Sequence, residues 1–356
     1  MGFDFKSIFN DIEPVARDIF TSYVKKDKAT DNLTWLAQTL AQNKTTANEA
    51  ANITEEIYSA VNRFSTNMKS IEQAAAMGKT KEQWLKKFIE SDNNMTEQQK
   101  GDYINQANAA LGYGNQVMMN AMGNSNEMNI TNEVNQLMQQ ELPTTDNVQW
   151  NRYTMAPVIN QLGQQAILSG ANGMMIPADI PMQGSDILQQ NIIEEALGSN
   201  LDEGMKMAAT AALKIGAAAG KIPFLPKAMP VSAITNIACV GVESFKNIGG
   251  VATGKISPMQ AMENIGRASI VAVADFCTTG IPAKLLMPIP VVGTALSFTV
   301  GGLLMRCSSE QIQQKIYAGI ERIKPVAQSI SRSVINVVHT ATNTAKNAVN
   351  AFARLF

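Results

Sequence analysis

The sequence predicts an all-α protein on three observations: capping-box tetrapeptides, one long apolar stripe at helical spacing, and an almost complete lack of strand patterning. Thr80-Lys81-Glu82-Gln83 and Thr96-Glu97-Gln98-Gln99 each place a hydroxyl three residues before an amide, so each side chain satisfies an orphan backbone N–H. Helices therefore start near 81 and 97. Ile53, Ile57, Val61, Phe64, Met68, Ile71 and Ala75 recur every three or four residues, which lays one stripe along a helix of about six turns. That is bundle or coiled-coil material. No clean alternating run occurs, and no Asn-Gly or Asp-Gly pair joins two such runs into a hairpin.

Composition divides the chain into four segments. Residues 1–110 form the N-terminal helical bundle or coiled-coil domain and carry a net charge of -2. Residues 111–204 form a connector rich in Asn, Gln and Met, with a net charge of -9. Pro143, Pro157, Pro177, Pro181 and glycines such as Gly112, Gly114, Gly123, Gly163, Gly170, Gly173 and Gly184 interrupt it, so short helices joined by long loops are expected there. Residues 205–306 form an apolar region of small residues, and 307–356 a basic amphipathic helix; these last two together carry +10. An acidic middle beside a basic third suggests attraction to an anionic surface, to nucleic acid, or to the acidic segment of the same chain.

Charged residues make up only 17% of the 356, below the usual share of about 25%, so Asn, Gln, Ser and Thr must fill much of the surface. The 20 methionines suit gap-filling in a core, or adaptable apolar surfaces. Cys239, Cys277 and Cys307 lack CxxC spacing and read as small buried hydrophobes in a reducing compartment. Met1 to Ser7 lacks the cationic start and apolar run of a signal peptide, and Lys6 stands where myristoylation needs Ser or Thr. The expected location is cytoplasmic, or peripheral to or inserted in a membrane.

No enzyme is expected, and no cofactor or metal. His339 is the sole histidine, so a Ser-His-Asp triad or a multi-histidine metal site has little to be built from. Glu55-Glu56 and Glu194-Glu195 are sequence neighbours that point about 100° apart on a helix and share no site. Gly249-Gly250-Val251-Ala252-Thr253-Gly254-Lys255 has the spacing of a phosphate-binding loop, but Ile256 replaces the Ser or Thr that would hold magnesium. A preceding strand is missing too. With Ser257-Pro258 opening a helix after it, the segment reads as a Gly-rich turn between two helices. The basic residues of the C-terminal third are spread singly and lack interleaved aromatics, so no specific nucleic-acid site is expected.

The apolar region holds the candidate site, a helical hairpin over 268–305. Its first arm runs from Ala268 to Ile281 with Asp275 near the middle, and Gly280, Pro282 and Lys284 form the turn. Leu285 to Met305 is uncharged for 21 residues and is closed by Arg306. That meets the roughly 20-residue length of a span. Pro288 and Pro290 delay a clean helix to Val291, which leaves it short, while Gly293, Gly301 and Gly302 allow close contact between arms. Asp275 would cost ~3 kcal/mol at a bilayer centre, so any insertion is expected to be conditional.

Gly254-Lys255-Ile256-Ser257, Gln260-Ala261, Gly266-Arg267, Ile289-Pro290-Val291-Val292-Gly293 and Gly301-Gly302 resemble the small-residue, glycine-zipper hairpin modules of bacterial membrane-active and toxin-associated proteins. Strict four-residue glycine spacing is scarce here, which departs from a channel-lining pattern. Helices with a heptad-like stripe beside an apolar hairpin are also similar in plan to α-helical pore-forming toxins and secretion translocators. Those resemblances imply conditional insertion or pore formation by the hairpin.

The final helix opens at the capping box Ser308-Ser309-Glu310-Gln311 and is bent or broken at Pro325, with Ile316, Ile320, Ile323, Ala327, Ile330 and Val334 on one face. Such a helix lies on an anionic membrane or packs in a bundle. Two functions follow. The first is a membrane-active helical protein whose hairpin is sheltered until it docks or inserts; the alternative is a helical scaffold or protein-interaction protein with a small-residue core. The expected partners are accordingly an anionic membrane or a helical protein, a homo-oligomeric second copy included. Asp275 discriminates the two, because a scaffold can pair it whereas a permanent span must bury it unpaired or turn it to water.

Overall fold

The computed structural model describes residues 5–27, 29–43, 46–101, 201–220, 230–278, 300, 304, 311–323 and 325–326. These residues are helical apart from short turns, and no strand occurs among them. The chain is all-α. The helices are α1 (Phe5–Lys25), α2 (Asn32–Gln42), α3 (Ala47–Ala76), α4 (Lys81–Glu90), α5 (Leu201–Ala218), α6 (Val231–Ala252) and α7 (Pro258–Thr278), with α8 over 311–323.

Local chemistry explains where they start. Asp31 caps α2 by accepting from the Thr34 N–H at 2.8 Å, and that bond holds its carboxyl below the ordinary range. Thr46 does the same for α3. At Thr80 the capping box is complete: Gln83 N–H donates to the Thr80 hydroxyl at 3.2 Å, and Thr80 N–H donates to Gln83 Oε1 at 3.0 Å. The second box is equally formed, with Gln99 N–H on the Thr96 hydroxyl at 3.2 Å and Thr96 N–H on Gln99 Oε1 at 2.8 Å.

α3 is the long strut, about 45 Å for its 30 residues. The expected stripe is its inner face: Ile57, Val61, Phe64, Met68 and Ile71 are buried, and Ile53 is partly so. It touches α2, α4, α5, α6 and α7. Two tryptophans pin its neighbours. Trp35 of α2 meets Tyr23 of α1 edge to face at 5.0 Å and donates its indole N–H to Ser22 at 3.0 Å. Trp84 of α4 stacks on Phe88 and donates to Ser70 of α3 at 3.1 Å.

α6 sits at the centre and is buried on nearly every side. Around it pack α3, α5 and α7, while α8 crosses close enough that a Cβ at Gly319 would stand 2.5 Å from the Ile248 carbonyl oxygen. Polar residues enter this core because they bond locally. Thr210, Thr235, Ser244 and Ser269 each donate to the carbonyl four residues back, at 2.7 to 2.9 Å, so no hydroxyl is left unpaired at those positions.

The Gly-rich segment is the turn that the sequence leads one to expect. Gly254 adopts φ +74°, Lys255 N–H bonds the Gly250 carbonyl at 2.9 Å and Gly254 N–H the Val251 carbonyl at 3.1 Å, which is a Schellman stop. Ile256 folds back over Gly250, where a Cβ would meet it at 3.0 Å. Ser257 then accepts from the Gln260 N–H at 3.1 Å, starting α7. No phosphate cradle is left, since those carbonyls and amides are spent on each other.

One contiguous apolar core takes side chains from α1 to α8. Helices of the 1–110 segment and helices of the apolar region therefore share an interior. α5 begins at Leu201, so its first turn, with Asp202 and Glu203, belongs by composition to the acidic stretch. Among the described residues no helix is long and apolar enough to cross a membrane.

Candidate functional site: two buried charge clusters

Of the hairpin residues, the structure describes Asp275. Gly280, Pro282, Lys284, Pro288, Pro290, Gly293, Gly301, Gly302 and Arg306 lie outside the described residues, as do His339, the connector from 111 to 200 and the helix beyond 326. The first arm expected from Ala268 is the second half of α7, continuous with Pro258.

Asp275 is 0% exposed, and it is paired. Arg63 of α3 grips it bidentately with one edge of the guanidinium: Nε donates to Oδ1, and Nη2 donates to Oδ2 at 3.0 Å. Asn236 of α6 donates its Nδ2 to the same Oδ2 and to the Ser232 carbonyl at 3.0 Å. Its own Oδ1 has no partner, so Asn236 serves the carboxylate as a donor. The Arg63 side chain is 36% exposed. A guanidinium thus reaches from the surface to a carboxylate that water does not touch, joining residues 212 apart in sequence.

The second cluster locks α5 to α6. Lys206 is 2% exposed and stands 2.6 Å from Asp202 Oδ2 and 2.6 Å from Glu243 Oε1. Lys246 approaches the same two carboxylates from the solvent side, at 2.9 Å from Asp202 Oδ1 and 3.5 Å from Glu243. Two cations and two anions make a neutral quartet. The Lys206 ammonium also lies 5.3 Å from the centre of the Phe64 ring on α3. Burial favours neutral lysine, but Glu243 and Asp202 outweigh it and hold the Lys206 pKa above the ordinary ammonium range. Burial likewise pushes the Asp202 carboxyl up, and the two lysines more than reverse this, leaving it below the ordinary value.

Two nearby groups feel the same surroundings. Cys239 is fully buried, which raises its thiol well above the ordinary range despite Lys206, so it is held as an unreactive thiol. Tyr23 is pushed up to about 12 by burial and by Glu203 and Asp202. Its ring lies across the Gly204 backbone.

Both clusters place closed ion pairs between helices, and what they do chemically is fix which helix faces which. Sequence reasoning singled out Asp275 and missed Arg63, Asn236 and Lys206. A signal was present for Lys206, whose four-residue spacing from Asp202 interrupts an otherwise apolar face. Arg63 gave a weaker one, as a charge adjoining Phe64 on the core side of α3. Comparison of the chain with family models, with curated proteins and with solved structures gives no match.

Proposed function

We propose that this chain is a helical scaffold or protein-interaction protein whose small-residue region is the core of a single bundle. The observation that carries the reading is the pairing of Asp275: a carboxylate in the middle of the apolar region is satisfied by Arg63 and Asn236 inside a core shared with the N-terminal helices. A permanent span gives no reason for an arginine from α3 to meet that carboxylate. The partner this reading implies is a helical protein, a second copy of the chain included.

A second reading, conditional insertion into an anionic membrane, draws its support from α6. A helix buried on nearly every side and wrapped by four others is a sheltered apolar centre. Insertion would first require separating Asp275 from Arg63, or neutralising it.

One variant separates the two. In the scaffold reading Asp275→Asn lowers thermal stability by several degrees, since it breaks a buried pair, and the protein still fails to float with anionic liposomes at low salt, at neutral or mildly acidic pH. Flotation of the wild type, or stronger flotation of the variant, overturns the scaffold reading in favour of insertion. Sedimentation of the wild type across a hundredfold concentration range tests for the second copy.

A further inference from the structure

Two helix-to-helix turns lie at one end of the bundle and are built alike. After α3, Gly78 takes φ +76°; its N–H bonds the Ala75 carbonyl and the Lys79 N–H the Ala74 carbonyl, each at 2.9 Å. Gly254 and Lys255 repeat that pair of bonds after α6, and a hydroxyl, Thr80 or Ser257, then caps the next helix. Lys81 brings the two turns to the same end by meeting Glu263 at 3.4 Å, while Asn264 donates to Asn247 at 2.8 Å. Met77 lies four residues before Lys81, and Met259 four before Glu263. These two methionines are 77% and 54% exposed, and they are the exposed large apolar residues among those described. Lys79 and Lys255 in the same turns are exposed as well. Met68, Met205, Met207 and Met262 are buried, and Met95 is partly so.

We propose that this end of the bundle is a reversible oxidation site, at which hydroperoxides convert Met77 and Met259 to the sulfoxide while the fold stays intact. The thioether sulfur attacks one peroxide oxygen, so that an S–O bond forms as the O–O bond breaks and the sulfur gives up two electrons. The proton on the transferred oxygen passes to the departing hydroxide or alkoxide, which leaves as water or alcohol. Access decides which sulfur reacts, since a buried one must wait for local opening. The fold survives because neither exposed side chain is part of what ends or starts a helix. Met77 contributes its backbone N–H to the end of α3, bonded to the Gln73 and Ala74 carbonyls at 3.1 Å, and the cap of α7 is Ser257. At Met68 or Met207 the same oxygen would set a polar group inside the shared core. Oxidation thus turns the apolar groups of this end into two sulfoxide acceptors in turns that also present lysines, and methionine sulfoxide reductases can reach both sulfurs to reverse it. This chemistry depends on neither functional reading.

Graded hydrogen peroxide on the full chain at neutral pH, followed by peptide mass mapping, tests it. Met77 and Met259 should each take up one oxygen roughly tenfold or more faster than Met68, Met205, Met207 and Met262. At the dose that converts those two, the melting temperature should match that of a Met77→Leu, Met259→Leu double variant given the same dose. Methionine sulfoxide reductases of both epimer specificities, supplied with dithiothreitol, should then return both residues to methionine in the folded protein. Comparable oxidation rates at the exposed and buried methionines overturn the proposal. So does a loss of melting temperature in the wild type that the double variant does not share, and so do sulfoxides at 77 and 259 that the reductases cannot remove until the protein is unfolded.

Discussion

The ring of Tyr23 presses on the backbone of Gly204 so closely that a Cβ added there would stand 1.9 Å from the phenolic oxygen. This contact seats α1 on the first turn of α5, and glycine is what permits it. Gly204→Ala should therefore cost about 1–3 kcal/mol in urea unfolding by forcing α1 away. In a Tyr23→Ala background the same change should cost far less. Equal costs in the two backgrounds would mean that the close approach is not what makes glycine necessary.

Tyr23 also makes an alkaline prediction. Its pKa is raised from 10 to about 12 in the folded state, so folding favours the neutral phenol. The corresponding stability is fully present below pH 10 and is lost as pH rises through about 12, a decline of at most ~3 kcal/mol. Tyr23→Phe should remove that part of the decline. Unfolding free energies of wild type and variant, measured from pH 9 to 12, should converge or cross as pH rises; parallel curves would contradict the shift.

Lys206→Met should destabilise by roughly 3–5 kcal/mol, because it leaves Asp202 and Glu243 with Lys246 as the remaining cation in the quartet. Adding Glu243→Gln should recover part of the loss. Acid behaviour follows from Asp202, whose folded carboxyl is held low by the lysines. Its contribution is present above the unfolded value near 3.9 and disappears as pH falls through the lower folded value. The stability gap between wild type and Asp202→Asn should accordingly be full at pH 6 and narrow below about pH 4.

Gly319 is required for a close approach of the same kind, here against backbone rather than a ring. The Ile248 carbonyl oxygen would lie 2.5 Å from a Cβ there and Ala252 Cβ 3.2 Å, so Gly319→Ala should lift α8 off α6. Arg322 would then lose its hydrogen bond to the Val251 carbonyl, now 3.1 Å. Faster proteolysis within 311–323, with little change at α2, is the expected result.

How far the sequence disclosed this molecule depends on the range of the interaction. Caps, the α3 stripe and the Gly254 turn are set within four or five residues, and each could be read from spacing alone. Asp275 stood out because a lone carboxylate in an apolar run must be answered somewhere. Its answer was not legible, since Arg63 lies 212 residues upstream and nothing local to either residue encodes the other. Lys206 was hidden differently: counted by segment, it belongs to the basic third and Asp202 to the acidic middle, although one turn of α5 joins them.

The same separation sets a timetable for synthesis. A ribosome adding roughly 5–20 residues per second needs about 10–40 s to travel from Arg63 to Asp275. For most of that interval the stripe of α3 has left the ribosome while α6 and α7 are still to be made. The newborn chain thus displays Ile57, Val61, Phe64 and Ile71 to its surroundings, as a chaperone client would, well before its own core can claim them.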